Sequence, residues 1–316
     1  MPEGDTIHRA ATALRVALVG KPIVRFDAVR LVGPRPGVGR RIESVESHGK
    51  HLEMTFDDGI VLHTHMRMTG SWHLYRPGER WRKSAFQTRV SIEVADWVAV
   101  CFNAPVVETF RVADRRRHPG LGRLGPDLCR ADADLEYCAD LMHAYGEGDT
   151  IVADVLLDQR VACGVGNVYK SETLFACRLS PFAEVGGLGR ERCGELIETA
   201  ARLLRENLHR PTRVTDAQSP DGLAVYGRAA KPCLVCHTPI RSAAVGEHRR
   251  VTYWCPRCQA DGDRRSVERD DTRSWSPSAR AAHVAADPHP AAVRFLDDIR
   301  AATPSAARTA DRSRRR

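Results

Sequence analysis

The sequence predicts an α+β protein. A helix leads an N-terminal β domain, a helical region follows, and a four-cysteine hairpin closes it. Three observations carry this reading. Helical periodicity opens the chain and gives way to Val- and Ile-rich alternating segments up to about residue 110. Near residue 118 the pattern changes and apolar residues return at helical spacing. Two Cys-x-x-Cys pairs then stand in a polar stretch. A length of 316 residues suits about two domains at ~150 residues each.

In order along the chain, Ile7, Ala10, Ala11, Leu14 and Leu18 recur at helical spacing, with Asp5 or Thr6 as the expected cap. Val61, His63 and His65 alternate with Leu62, Thr64 and Met66, as in a strand. Val90-Ser91-Ile92-Glu93-Val94 and Val98-Ala99-Val100-Cys101-Phe102 read as further strands, with turns at Asp57-Asp58-Gly59 and Arg76-Pro77-Gly78 between strands. His118-Pro119-Gly120 to Gly125-Pro126-Asp127 reads as a loop. Helical patterns follow around Leu135–Ala144, Thr150–Gln159, Val168–Cys177 and Arg190–Asn207. From Asp271 to Arg316 there are nine Arg and five Asp and no other charged residue but histidine, hence +4. Few large apolar residues occur there, so a disordered basic arm is expected, or a solvated tail without function.

Composition excludes several classes. Hydrophobic residues make up 42% and charged residues 28%, an ordinary globular balance. No window approaches the ~18 unbroken apolar residues of a membrane span. Met1-Pro2-Glu3-Gly4-Asp5 is acidic and has no apolar core, so no signal peptide is expected and a cytosolic location is. The +8 net charge suits a polyanionic partner as well as it suits a merely soluble basic protein. In a reducing compartment the ten cysteines favour metal binding over disulfides. Cys101, Cys129, Cys138, Cys163, Cys177 and Cys193 are isolated and read as buried bystanders.

Three motifs carry chemistry. Cys233-Leu234-Val235-Cys236 and Cys255-Pro256-Arg257-Cys258, with eighteen residues between them, match a four-thiolate zinc site. Four protein ligands leave no open position, so one structural Zn2+ is expected. Arg241, His248, Arg249 and Arg250, with Tyr253 and Trp254, suit phosphate contact or a solvated hairpin face. At the other end, removal of Met1 would expose the secondary amine of Pro2. Free α-amines titrate at ~8, so part of it is nucleophilic at neutral pH and able to form Schiff bases with sugar aldehydes, with Glu3 alongside to move protons; taken in isolation, the same two residues read more simply as a helix lead-in. Gly164-Val165-Gly166-Asn167 lies between two helical patterns, where Asn167 is placed to cap a helix whose bare N–H groups favour a phosphate.

Taken together and in this order, these residues resemble the formamidopyrimidine-DNA glycosylase/endonuclease VIII family. The anchors are Pro2-Glu3-Gly4, Gly49-Lys50-His51-Leu52, His65-Met66-Arg67-Met68-Thr69-Gly70, Leu157-Asp158-Gln159 through Gly164-Val165-Gly166-Asn167-Val168-Tyr169 with Glu172, and Arg250-x-Thr252-x-x-Cys255. They span Pro2 to about Gln259. The resemblance implies a β-sandwich behind an N-terminal helix (residues 2–117), a helix–two-turn–helix domain (118–222) and a zinc finger (223–262), and leaves the disordered basic tail (270–316) outside it. It implies a base-excision-repair enzyme that removes oxidised bases and cleaves abasic sites by β/δ-elimination. Its partner would be damaged DNA, duplex, single-stranded or bubble. The protein would be a monomer, cytoplasmic and nucleoid-associated. Pro2 would be the nucleophile, Glu3 the acid/base, and Lys50 a catalytic phosphate contact. Asn167 and Arg250 would grip the phosphates flanking an extruded nucleotide.

The chain also departs from the family pattern. Thr6 stands where the family usually has a second Glu. The stretch Asp114-Arg115-Arg116-Arg117-His118 has no Phe where the formamidopyrimidine branch carries Arg-Arg-Phe-Gly, and Ala153 stands where that branch has Lys. These departures favour the endonuclease VIII side, hence oxidised pyrimidines and abasic sites. Arg67, Met68 and Thr69 occupy gap-filling slots, with Met68 either an apolar wedge or a core methionine. A competing reading is a catalytically weak zinc-finger protein that binds damaged DNA. It accounts for the charge, the finger and the tail, but not for Pro2-Glu3 with Lys50. A zinc-ribbon RNA or ribosome accessory protein gives no reason for a mature N-terminal proline.

Overall fold

The computed structural model describes residues 2–247 and 249–260. His248, the expected basic tail at 270–316 and the last two residues of the expected finger lie outside the described residues. Helix α1 (Gly4–Leu18) turns Ile7, Ala11, Leu14 and Leu18 onto one buried face, as the 3.6-residue spacing requires. It packs on the first of two antiparallel sheets. That sheet runs β2 (Ile42–His48), β3 (His51–Phe56), β4 (Ile60–His65), β8 (Val106–Arg111). The second runs β1 (Arg25–Ala28), β6 (Thr88–Glu93), β7 (Val98–Phe102), β5 (Ser71–Tyr75). Side chains of both sheets and the α1 face close one core, including Leu14, Phe26, Val45, Leu52, Met54, Phe56, Leu62, Val90 and Ile92. This is the expected β-sandwich behind a helix. The edge-to-face pair Phe26–Phe56 bridges the sheets at 6.4 Å.

A second core joins α2 (Leu135–His143), α3 (Val152–Val155), α4 (Asn167–Ala176) and α5 (Arg190–Glu206) through Met142, Val152, Tyr169, Leu174, Cys193, Leu196 and Leu204. Asp134 caps α2 by accepting from the Tyr137 N–H at 2.9 Å. The helix expected over Thr150–Gln159 shrinks to the single turn of α3. The reason lies in Asp158 and Gln159. Asp158 accepts from the Arg160 N–H, and Gln159 donates to the Leu157 and Val165 carbonyls and accepts from the Gly164 N–H. Side chains thus satisfy backbone groups that helix continuation would have used. The last two strands among the described residues form the antiparallel hairpin β9 (Arg241–Val245) and β10 (Arg250–Trp254), with β10 against α4. Of the isolated cysteines, five are buried and Cys177 is half-buried. Among the described residues no helix is long and apolar enough to cross a membrane.

Candidate active site and nucleic-acid interface

The two cores meet at the first turn of α1. Glu3 is fully buried, and its carboxylate accepts from the N–H groups of Gly166 (3.0 Å), Val168 (2.8 Å) and Tyr169 (3.2 Å). An anion at the positive end of α4 satisfies donors that have no partner inside the helix. Residue 166 must be glycine here, because a Cβ would lie 2.3 Å from the Glu3 Cδ. This corrects the expectation for the Gly164–Asn167 turn. Gly166 is the N-cap residue, Asn167 is the first residue of α4, and Glu3 from 163 residues away occupies N–H groups that a phosphate was expected to find. The Gly4 N–H, bonded to the Gly164 carbonyl at 2.9 Å, fixes the lead-in that carries Pro2.

Asp5 does not cap α1 either, since Glu3 is the N-cap residue. Asp5 is buried and takes a two-pronged pair from Arg213 (Nη2–Oδ1 2.7 Å, Nε–Oδ2 2.9 Å), with Arg9 at 3.1 Å. Burial alone would raise the Asp5 carboxyl; the charge and hydrogen bonds of Arg213, with Arg9, outweigh it and hold the pKa at about 2. Arg213 also donates to the Thr6 hydroxyl at 2.8 Å. Thr6, in the slot of the missing Glu, is therefore a member of the same network. Nothing local in the sequence marks Arg213 for this part.

Lys50 lies in the two-residue β2–β3 turn, where Gly49 has φ +56° and its N–H donates to Asp127 at 2.9 Å. Burial pushes the Lys50 ammonium below its usual value, the Glu3 carboxylate opposes that, and Arg250 adds to it. Glu3, Lys50 and Arg250 thus share one electrostatic neighbourhood. Arg67 and Met68 lie in the turn from β4 to β5. Met68 is 62% exposed and sits 3.9 Å (Sδ) from an Arg250 Nη, whereas Met66 is the buried one. The core-methionine alternative for Met68 is thereby overturned.

Side chains of α4 key the hairpin in place. Asn167 donates through Nδ2 to the Val251 carbonyl at 2.6 Å, and Lys170 donates to the Thr252 hydroxyl at 2.6 Å. The Asn167 Oδ1 is buried and has no hydrogen-bond partner among the described residues. Lys170 is itself buried, which lowers its pKa to about 8 even though Asp154 and Glu3 pull the other way. The Sγ atoms of Cys233, Cys236, Cys255 and Cys258 all lie within 4.8 Å of one another, so one metal ion can touch all four. Glu172 accepts from the N–H groups of Ala224, Val225 and Tyr226 and ties the approach to the hairpin onto α4.

Strand register builds a further cluster beside Lys50. His51 stands opposite His65, and Glu53 opposite His63. His51 and His63 share a 2.9 Å nitrogen–nitrogen bond, and Glu108 accepts from His63 (2.9 Å) and His118 (3.1 Å). The His118 Nδ1 already accepts the Gly120 and Leu121 N–H groups, so its Nε2 keeps the proton. That nitrogen donates to Glu108 and has no lone pair for a metal. Burial lowers His51 to about 2 and His65 to about 4, helped by neighbouring cationic groups, so these two rings are neutral at pH 7.

Comparison with known proteins places these features. Residues 1–117 match the formamidopyrimidine-DNA glycosylase N-terminal domain, and residues 124–218 match the formamidopyrimidine-DNA glycosylase H2TH domain. The chain belongs to the formamidopyrimidine-DNA glycosylase/endonuclease VIII family. It is 41% identical over 264 residues to a probable endonuclease 8 2 of Streptomyces coelicolor, covering 82% of this chain and 94% of the relative. It is 38% identical over 266 residues to the DNA-(apurinic or apyrimidinic site) lyase Nei2 of Mycolicibacterium smegmatis, covering 82% and 99%. The endonuclease VIII side indicated by Ala153 and the Phe-less 114–118 stretch agrees with those relatives. In fold it is similar to Lactococcus lactis formamidopyrimidine-DNA glycosylase in complex with a DNA containing N7-benzyl-Fapy-dG. That match has a TM-score of 0.70 and 21% identity, and covers 82% of this chain and all of the other.

Proposed function

We propose that the chain is a bifunctional DNA glycosylase and abasic-site lyase. It removes oxidised bases, pyrimidines favoured, through a Schiff base on the amine of Pro2. The observation that carries this reading is the position of the Pro2-Glu3 lead-in. A long-range anchor on α4 holds it at the junction of the two cores, with Lys50 and Arg250 in its field. With Met1 removed, the Pro2 nitrogen attacks C1′ of an extruded nucleotide. Glu3 carries the proton to the deoxyribose ring oxygen, which assists ring opening as the base leaves. The iminium so formed acidifies the C2′ proton, and elimination expels the 3′ phosphate. A second elimination expels the 5′ phosphate and leaves a one-nucleotide gap.

Lys50, Asn167 and Arg250 hold the flanking phosphates in this proposal, and Arg67 and Met68 fill the space the nucleotide leaves. The proposed ion at the four cysteines is a structural Zn2+. Zn–S bonds of ~2.3 Å in a tetrahedron put sulfurs about 3.8 Å apart. The Cys233–Cys258 and Cys236–Cys255 separations of 3.9 and 3.4 Å suit it. The ion folds the hairpin that presents Arg250 and takes no part in bond breaking.

Borohydride trapping on an abasic oligonucleotide, followed by peptide mapping, tests the reading. A covalent adduct on Pro2 is expected. An adduct on Lys50 or another lysine overturns the mechanism, and DNA binding with no adduct leaves only a damaged-DNA-binding protein.

A further inference from the structure

Phe86 is the most exposed large apolar residue among the described ones, with its whole side chain in solvent (101% exposed). An exposed phenyl ring alone means little, but this one is held outward on a built frame. Ser84 caps the short turn Ala85–Gln87 that carries it. The Gln87 carbonyl accepts from the Asn103 N–H at 2.8 Å, and the Asn103 carbonyl accepts from the Thr69 hydroxyl at 3.0 Å. Lys83 reaches back to the Ser71 hydroxyl at 2.9 Å. The Phe86 turn and the Met68 loop are thus tied to each other through Asn103 and Ser71.

Strand register fixes their relation. Ser71 and Thr88 both pair with Phe102 on β7, so the Met68 loop and the Phe86 turn leave the same sheet end two strands apart. At ~4.8 Å per strand that is about 10 Å, or about three base steps of ~3.4 Å. On the other flank of the Met68 loop, His65 pairs with His51, the neighbour of Lys50. The Met68 loop thus joins the sheet end beside Lys50 to the end of the other sheet that carries the Phe86 turn.

The surroundings of Phe86 are cationic. Residues 76–89 hold Arg76, Arg80, Arg82, Lys83 and Arg89 against one acid, Glu79. Arg80 and Arg82 are exposed and form no ion pair among the described residues. With Trp81 they line an open depression of about 470 Å³. Trp81 is stacked on Tyr75 at 6.2 Å and meets the Phe102 edge at 5.9 Å, so the loop is packed from below. A presented aromatic ring flanked by free guanidinium groups is the chemistry that holds an unpaired base and its phosphates.

We propose that Phe86 stacks on a base of the undamaged DNA strand, with Arg80 and Arg82 on that strand's phosphates. The inference rests on the reading above, in which Lys50 faces the damaged strand and the Met68 loop fills the gap. In that reading the Met68 loop separates the sheet end beside Lys50 from the one that carries Phe86, which assigns Phe86 to the opposite strand.

The test compares wild type with Phe86→Ala and Phe86→Trp on duplex and single-stranded oligonucleotides carrying a stable abasic analogue. Phe86→Ala removes no buried contact, so the fold is kept. About tenfold weaker duplex binding is expected for Phe86→Ala, the usual scale of base–aromatic stacking. Recovery is expected in Phe86→Trp, and single-stranded binding should be unchanged. A photoreactive phenylalanine analogue at position 86 should crosslink to the undamaged strand. Unchanged duplex affinity, an equal loss on both DNAs, or crosslinks confined to the damaged strand each overturn the inference. If wild type fails to trap abasic DNA yet Phe86 governs duplex affinity, the proposed chemistry falls and this contact stands.

Discussion

Replacing Asp5 with Asn keeps the shape of the buried side chain and removes its charge. The Asp5 carboxyl is held at about 2 in the folded protein against an ordinary 3.8. At about 1.4 kcal/mol per unit, that depression stabilises the fold by about 2 kcal/mol at neutral pH. Removing the charge also leaves the buried Arg213 guanidinium without its bidentate partner, and breaking such a pair costs about 3–5 kcal/mol. A loss between about 2 and 5 kcal/mol is therefore expected for Asp5→Asn at pH 7. Because the folded pKa is depressed, the wild-type contribution is fully present above about pH 4 and disappears as the pH falls through 2. The gap between the two proteins should close over that window. Arg213→Lys keeps the charge but loses the planar fork, so it should fall between them. Urea denaturation at a series of pH values reads this directly. A loss under ~0.5 kcal/mol at pH 7, or a gap that persists unchanged down to pH 2, would refute the argument.

Lys170→Met should be more stable than wild type by about 1–3 kcal/mol at pH 7, since a buried ammonium with a pKa near 8 is disfavoured in the fold. The advantage should shrink as the pH rises from 8 to 10.5, and a variant less stable at pH 7 contradicts this. Cys255→Ser should lower bound zinc from one ion per chain to none by metal analysis and abolish DNA affinity, because site folding and metal binding are coupled. Glu3→Gln should lose base excision by ~10²–10⁴-fold while keeping some cleavage at preformed abasic sites, measured on paired oligonucleotides. It also leaves one α4 N–H without an acceptor, so its melting temperature should drop. Arg250→Ala should reduce the salt slope of DNA binding by ~1 for every lesion alike, and an unchanged slope argues against a phosphate contact.

Much of the architecture was legible in the sequence. Ile7, Ala11, Leu14 and Leu18 predict α1 because a buried helical face demands that spacing, and α1 is where the pattern places it. The strand around Val90 follows from alternation, and Val98–Phe102 from a short continuous apolar run. Cys233, Cys236, Cys255 and Cys258 converge because each pair is one tight turn, a local property. The motif order was enough to indicate the family, and the Phe-less 114–118 stretch with Ala153 its endonuclease VIII side. What local pattern could not supply was the helix limit at Val155, where Gln159 competes for backbone groups through its side chain.

Local sequence marks Pro2, Glu3, Lys50, Arg67, Met68, Asn167, Arg250 and the four cysteines as candidates. Whom they meet is set by packing between distant segments. Glu3 finds the N-terminus of α4 across 163 residues, and Asp5 finds Arg213 across 208. Met66 is buried and Met68 exposed, although both sit in one short motif. The histidines at 51, 63 and 118 become one network through strand register and the return of the chain after β8. The physical reason is range. Periodicity, caps and turns are set by neighbours within a few residues, so they are written in the local sequence. Burial of a charge, pairing across a core and the outward direction of a loop depend on which distant surfaces close upon one another, and packing alone settles that.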